Sequence, residues 1–284
     1  MKKRIVSLLL AAALLTGAAS AAGEEGAAEQ PDLDLSAASA VLMEKETGAL
    51  LYEKESHQQL EPASVTKVMT LLLIMEDLDS GRLSKEDLVT VSAAAAGMGG
   101  SQVYLKEGEQ LSAGELIKCI AVVSGNDAAV AMAEHLAGSE AAFVERMNRR
   151  AQELGMKDTA FVNCTGLPAA GHHSSAYDIA LMSRELILHH PDIRTYTTIW
   201  MDSIRDGAFG LTNTNRLVRF YPGATGLKTG STDSALYCLS ATAERDGMEL
   251  IAVVMKAPSS AHRFDDAKAL LDYGFSAWSL VSVY

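Results

Sequence analysis

The chain has 284 residues, 48% of them apolar, and a formal charge of −12. That length allows one large domain or two small ones, and the composition can fill a complete core. The acidic balance argues against nucleic acid as a partner and against a polybasic membrane patch.

Residues 1–22 read as a secretory signal peptide. Lys2, Lys3 and Arg4 form its positive start, and Ile5 to Leu15 an apolar stretch too short to span a bilayer. Ala19-Ser20-Ala21 and Ser20-Ala21-Ala22 offer small-residue cleavage sites. The expected product is exported, with membrane association only if the signal stays uncut. Residues 23–35, rich in Gly, Glu, Ala and Asp, read as a disordered leader, and residues 36–284 as one domain without a linker.

Along that domain, residues 40–53 alternate around Glu46-Thr47-Gly48, which predicts a β-hairpin. Pro62 to Asp79 is a long apolar helix stopped by Gly81. Residues 113–123 and 127–137 read as two helices broken by Ser124-Gly125-Asn126; residues 140–154 and 175–189 read as two more. Residues 237–243 and 249–255 are strands joined at Asp246-Gly247, and residues 265–271 a last helix. Strands at both ends with helices between predict an α+β fold: an antiparallel sheet built from both chain ends, flanked by helices, with an inserted all-helical lobe.

Cysteine and histidine usage points to no metal and no cofactor. Cys119, Cys164 and Cys238 are odd in number and widely spaced, and apolar surroundings make buried free thiols the expectation. His172-His173 and His189-His190 are adjacent pairs without zinc spacing, read as surface or packing residues. Asn163-Cys164-Thr165 is a formal glycosylation sequon expected to stay unmodified.

Three short motifs follow one another. In Ser64-Val65-Thr66-Lys67, at the start of the long helix, a three-residue spacing puts both side chains on one face. A lysine there can take a proton from a serine hydroxyl, provided burial and a nearby cation lower its pKa. The bland alternative for Ser64 is a helix cap. Ser124-Gly125-Asn126 interrupts an apolar stretch. As chemistry, Ser124 is placed to relay a proton and Asn126 to grip a substrate amide; as structure, Asn126 caps the following helix. Lys228-Thr229-Gly230 follows a glycine-containing run but fails as a phosphate loop, because Leu227 separates Gly226 from Lys228. On an edge strand it makes better sense. Lys228 supplies a cation for Lys67 and for a carboxylate, Thr229 a donor, and Gly230 room for an extended peptide. A hairpin turn is the bland alternative.

In this order the motifs match the set found in β-lactamases and penicillin-binding proteins. With their flanks, Pro62 to Thr70, Ser124 to Ala129, Phe161 to Leu167, Ser174 to Asp178 and Leu270 to Phe275, the chain resembles the serine-type D-alanyl-D-alanine carboxypeptidases, the low-molecular-mass penicillin-binding proteins. The resemblance implies a β-lactamase/transpeptidase-like fold and a peptidoglycan stem peptide ending in D-Ala-D-Ala as substrate. It implies Ser64 as nucleophile, Lys67 as base and Ser124 as assistant, with β-lactams as covalent inhibitors. It places an oxyanion hole at the backbone N–H groups of Ser64 and Ser231, and links Arg263 to the substrate carboxylate. Two departures stand near the third motif: Ser231 where relatives often have His or Tyr, and Leu236 where they have Gly. A second, β-rich domain and a C-terminal anchor, present in many relatives, are not expected in this sequence. A class A β-lactamase would need a deacylating Glu in a Glu-x-x-Leu-Asn setting, which Glu134, Glu140, Glu145, Glu153 and Glu185 lack. The other alternative is a catalytically weak protein that binds wall peptides.

Overall fold

The computed structural model describes residues 2–7 and 31–283. Residues 8–30, which hold most of the expected signal and the start of the leader, lie outside them. Lys2–Ser7 (β1), read from sequence as the start of the signal, pairs antiparallel with Trp278–Val283 (β11). The expected leader is anchored before its end: Leu35 is buried and Lys54 Nζ donates to its carbonyl (2.6 Å). Burying this apolar side chain in a cluster with Leu42, Phe264 and Leu271 removes it from water, which favours the anchored position.

The main sheet has five antiparallel strands in the order β3-β2-β10-β9-β8. They are Ser39–Glu44 (β2), Leu50–Lys54 (β3), Ala224–Thr232 (β8), Leu236–Arg245 (β9) and Met248–Ala257 (β10). Both chain ends thus contribute, as expected. The hairpins form where turn chemistry allows: Asp246 and Gly247 both have positive φ, and the Glu44 carboxylate accepts from the amides of Glu46 (3.0 Å) and Thr47 (2.7 Å). Alternate residues of the central strands face opposite layers. Val41, Met43, Ile251 and Val253 join the helical core, whereas Leu42, Leu250, Ala252 and Val254 pack on Phe264, Leu270 and Leu271 of Ser260–Ala277 (α9). Burial on both faces explains the continuous apolar run of β10.

Between β3 and β8 lies the helical lobe. Its axis is Lys67–Asp79 (α1), apolar on every side and surrounded by other helices, as such a helix must be. Leu88–Thr90 (β4), Ala93–Ala96 (α2) and Gln110–Ser112 (β5) precede Ala113–Val123 (α3), Asn126–Ala137 (α4) and Glu140–Glu153 (α5). Ser112 and Glu115 form a capping box at the start of α3. Ala176–His189 (α6) and Arg194–Thr197 (α7) follow, then the hairpin Met201–Ile204 (β6) and Phe209–Thr212 (β7), and Leu217–Phe220 (α8). The short strands β4 to β7 are absent from the sequence reading because three or four residues carry too little periodicity. The last helix is longer than expected at both ends: the Ser259 side chain caps it, accepting from His262 N at 3.2 Å.

Candidate active site

Ser64 sits in a single 3-10 turn, Ala63–Thr66, that runs straight into α1. It does not cap the helix; its half-buried hydroxyl lies 3.1 Å from Lys67 Nζ. Two glycines let the turn be gripped from both sides. A Cβ at Gly166 would fall 1.8 Å from Ala63 O, and its φ of +83° already favours glycine. A Cβ at Gly230 would fall 2.9 Å from Pro62 O and from the amides of Ser64 and Val65. Gly230 is therefore required by the approach of β8 to the nucleophile turn, a reason different from the room for substrate read from sequence.

Lys67 is fully buried, and its ammonium has three acceptors: Ser64 Oγ, Asn126 Oδ1 (2.6 Å) and Thr165 O (2.7 Å). Burial pushes its pKa down to about 7, against the opposing pull of Cys164 and Asp127. Burial is one of the two expected causes; the other, a neighbouring cation, acts on Lys228. Lys228 is driven well below its ordinary value by burial first, then by Lys67 and Arg263.

Ser124 closes α3 in a left-handed conformation (φ +65°); its Oγ is buried with no hydrogen-bond partner among the described residues. Asn126 does not cap the next helix, which begins at Asn126 itself after Gly125. Its oxygen is taken by Lys67 and its Nδ2 donates to Gly99 O (2.7 Å). Asp127 then accepts from the amides of Val103 (3.0 Å) and Leu105 (3.1 Å), pinning the segment that follows Gly99, Asn126's partner.

On the opposite side, β8 forms the sheet edge and carries the third motif mid-strand, not in a turn. Lys228 Nζ donates to Thr229 O (2.9 Å), and the hydroxyls of Thr229 and Thr214 are 2.7 Å apart. Ser231 is exposed. Arg263 is only 8% exposed, and its donors reach Gly230 O (3.0 Å) and Cys238 O (3.5 Å). Its charge reaches the site as a field on Lys228, and its guanidinium braces the strand.

A family model described as D-alanyl-D-alanine carboxypeptidase matches residues 24–259. The chain belongs to that family. Its likeness to D-alanyl-D-alanine carboxypeptidase DacF of Bacillus subtilis is 47% identity over all of this chain and 74% of that one. Against DacD of Escherichia coli it is 39% identical over 88% of this chain and 66% of its counterpart. Among solved structures, penicillin-binding protein D2 of Listeria monocytogenes in the ampicillin-bound form aligns with a TM-score of 0.79 at 34% identity, covering 86% of this chain and 100% of the other. Penicillin-binding protein 6B of Escherichia coli aligns at 0.82 and 38%, covering 88% and 80%. The chain is a serine peptidase of this family, with the mixed α+β fold of the penicillin-binding proteins.

Of the residues expected at the site, Ser64, Lys67 and Asn126 share direct hydrogen bonds. Lys228 is coupled to Lys67 by charge, Gly230 by packing. Among the described residues the Ser124 hydroxyl makes no hydrogen bond, and Arg263 donates to Gly230 O. Sequence reasoning missed the loop that completes the lysine's cage. Asn163 Oδ1 accepts from Thr165 N (3.1 Å) and Gly166 N (2.7 Å), and its Nδ2 donates to Leu167 O (2.9 Å), so the sequon asparagine is an internal brace. A backbone carbonyl such as that of Thr165 leaves no sequence signal. Asp127 did leave one: a carboxylate ahead of the apolar Ala128-Ala129-Val130 needs buried partners. All three cysteines are buried free thiols, with burial raising each pKa.

Proposed function

We infer that the protein is a serine D-alanyl-D-alanine carboxypeptidase of the cell wall, acting through an acyl-enzyme on Ser64 and acylated by β-lactams at the same atom. The bonding of Lys67 carries this reading. A neutral lysine has two N–H groups and one lone pair. Asn126 Oδ1 and Thr165 O can only accept, so they take the two N–H groups. The lone pair is left for the one partner with a proton to give, the Ser64 hydroxyl. A pKa of about 7 makes the neutral amine available at neutral pH.

The substrate enters along the β8 edge, its terminal carboxylate toward Lys228 and Thr229. That anion favours the charged form of Lys228, and a charge there further disfavours a proton on Lys67. Ser64 Oγ attacks the carbonyl between the two D-alanines while Lys67 takes its proton. The oxyanion is received by the amides of Ser64 and Ser231. Ser124, whose hydroxyl is free in the buried site, passes the proton from Lys67 to the departing D-alanine nitrogen. Water then hydrolyses the ester by the same base. Asn126 holds Lys67 through its oxygen and keeps an amide hydrogen for the substrate. Arg263 supports the carboxylate end by field and by bracing Gly230 O.

We place this activity outside the cytoplasm, on the signal pattern of residues 1–22. Among the described residues no helix is long and apolar enough to cross a membrane. Release of D-alanine from a diacetylated Lys-D-Ala-D-Ala peptide tests the function, with Ser64→Ala as control. Release by the wild type alone is expected. Binding of the peptide without release by the wild type would favour a peptide-binding role instead.

A further inference from the structure

Beside Asn126, two segments cage Lys67, and a side chain outside the motifs bridges them. The first segment is the turn 63–67, which carries Ser64 and Lys67. The second is the loop 161–167, which offers Thr165 O to Nζ and slides Gly166 beneath Ala63. His172 lies between them. Val162 N donates to its Nδ1 (3.0 Å), and its Nε2 is 2.8 Å from Thr66 Oγ1. A backbone N–H can only donate, so Nδ1 bears no proton; the ring's single proton is on Nε2 and points to Thr66. The ring is buried, 4% exposed, beside Phe161. Burial pushes its pKa down to about 4; His173 acts in the same direction and Glu61 against it. The neutral tautomer that can bridge the two segments is therefore the one present at neutral pH.

We propose that His172 is a positioning residue for acylation: its neutral imidazole clamps the turn bearing Ser64 and Lys67 to the loop bearing the Thr165 carbonyl, and so keeps Nζ caged. The proposal rests on the reading of Ser64 and Lys67 as the acylating pair. Loosening the clamp lets the two segments part and admits water to Nζ. The ammonium then recovers hydration, and its pKa climbs back toward that of a free lysine. Asp127 and Cys164 already pull in that direction, with burial opposed to them.

The test follows acylation of the full chain by a fluorescent penicillin from acidic to alkaline pH. It compares wild type, Thr66→Val, Thr66→Ser, His172→Ala and the double variant Thr66→Val/His172→Ala. Thr66→Val keeps the size of the side chain and removes only the oxygen facing the ring; Thr66→Ser keeps that oxygen. Thr66→Val and His172→Ala are expected to move the rising limb of the profile about one pH unit upward, a roughly tenfold loss of rate on its acid side. Thr66→Ser is expected to keep the wild-type limb, and the double variant to be no worse than the poorer single one. A folded Thr66→Val protein with the wild-type limb, or effects that simply add, would overturn the proposal; a purely structural role would lower stability without moving the limb. If His172→Ala does not fold, the contrast between Thr66→Val and Thr66→Ser decides. A wild type that never labels sinks the reading of the site and the proposal with it. A labelled wild type with unmoved variants sinks the proposal alone.

Discussion

The helix side and the strand side of the site each bury a lysine, and they finish it differently. Lys67, on the helix side, has an acceptor for every N–H of its ammonium. Lys228, on the strand side, donates among the described residues to one carbonyl only. A buried ammonium with donors to spare is costly without a ligand and well suited to an arriving anion. The contrast separates two tasks that share a charge. On the proposed function, the caged lysine is prepared for proton transfer before substrate arrives, and the open one is completed by substrate.

The sharpest way to break this division is to remove the base. Lys67→Ala is expected to lower acylation by penicillin about a thousandfold while the protein stays folded. In the wild type the rate should rise with pH through about 7, since the active form is the neutral amine and the ammonium dominates below that value. Labelling across pH checks both, and an active Lys67→Ala enzyme would show that another group is the base.

Next comes the packing that holds the helix side together. Gly166→Ala drives a methyl group into Ala63 O at a backbone position that already disfavours side chains. A loss of about 3 kcal/mol or more in urea unfolding is expected, together with loss of labelling at Ser64. Wild-type stability and labelling would mean that the turn does not need this contact.

The strand side should respond more mildly and more selectively. Lys228→Ala is expected to cost about ten- to a hundredfold in kcat/KM for a peptide with a free carboxylate. A C-terminally amidated peptide, which offers Lys228 no anion, should lose much less. Equal losses on both peptides would place Lys228 in the base machinery instead. The smallest effect is expected at the hairpin beyond the third motif. Leu236 has φ +53°, a conformation that a leucine adopts at a cost. Leu236→Gly should relieve about 1 kcal/mol of strain, less what the half-buried side chain contributes by packing. Thermal unfolding reads the net sign, and a clear loss of stability would mean that packing outweighs the strain.

How far the site was legible varies residue by residue. Ser64 and Lys67 could be paired from their spacing, because one helical turn brings such neighbours together whatever surrounds them. The helices 113–123 and 126–137 could be bounded because a serine, a glycine and an asparagine interrupt an otherwise apolar run. Leu236 drew notice as a departure at a glycine position, and its positive φ supplies the physical reason. By contrast, Asn126 read as a helix cap or a substrate clamp and is first of all an anchor for Lys67. Arg263, linked by resemblance to the substrate carboxylate, donates to the carbonyls of Gly230 and Cys238, contacts that no local sequence pattern announces. His172 read as a packing residue and bridges the two halves of the cage.

The sequence by itself determined the order of the long helices and central strands, the sheet drawn from both chain ends and the three motifs, because periodicity, turn residues and short spacings act over a few neighbours. Tertiary structure alone decided which distant groups meet Lys67. Asn126 and Thr165 lie 59 and 98 residues away along the chain, and one of them contributes only a carbonyl oxygen. Burial is likewise a property of the assembled core. It is burial, rather than any neighbouring charge, that brings the Lys67 pKa down to about 7.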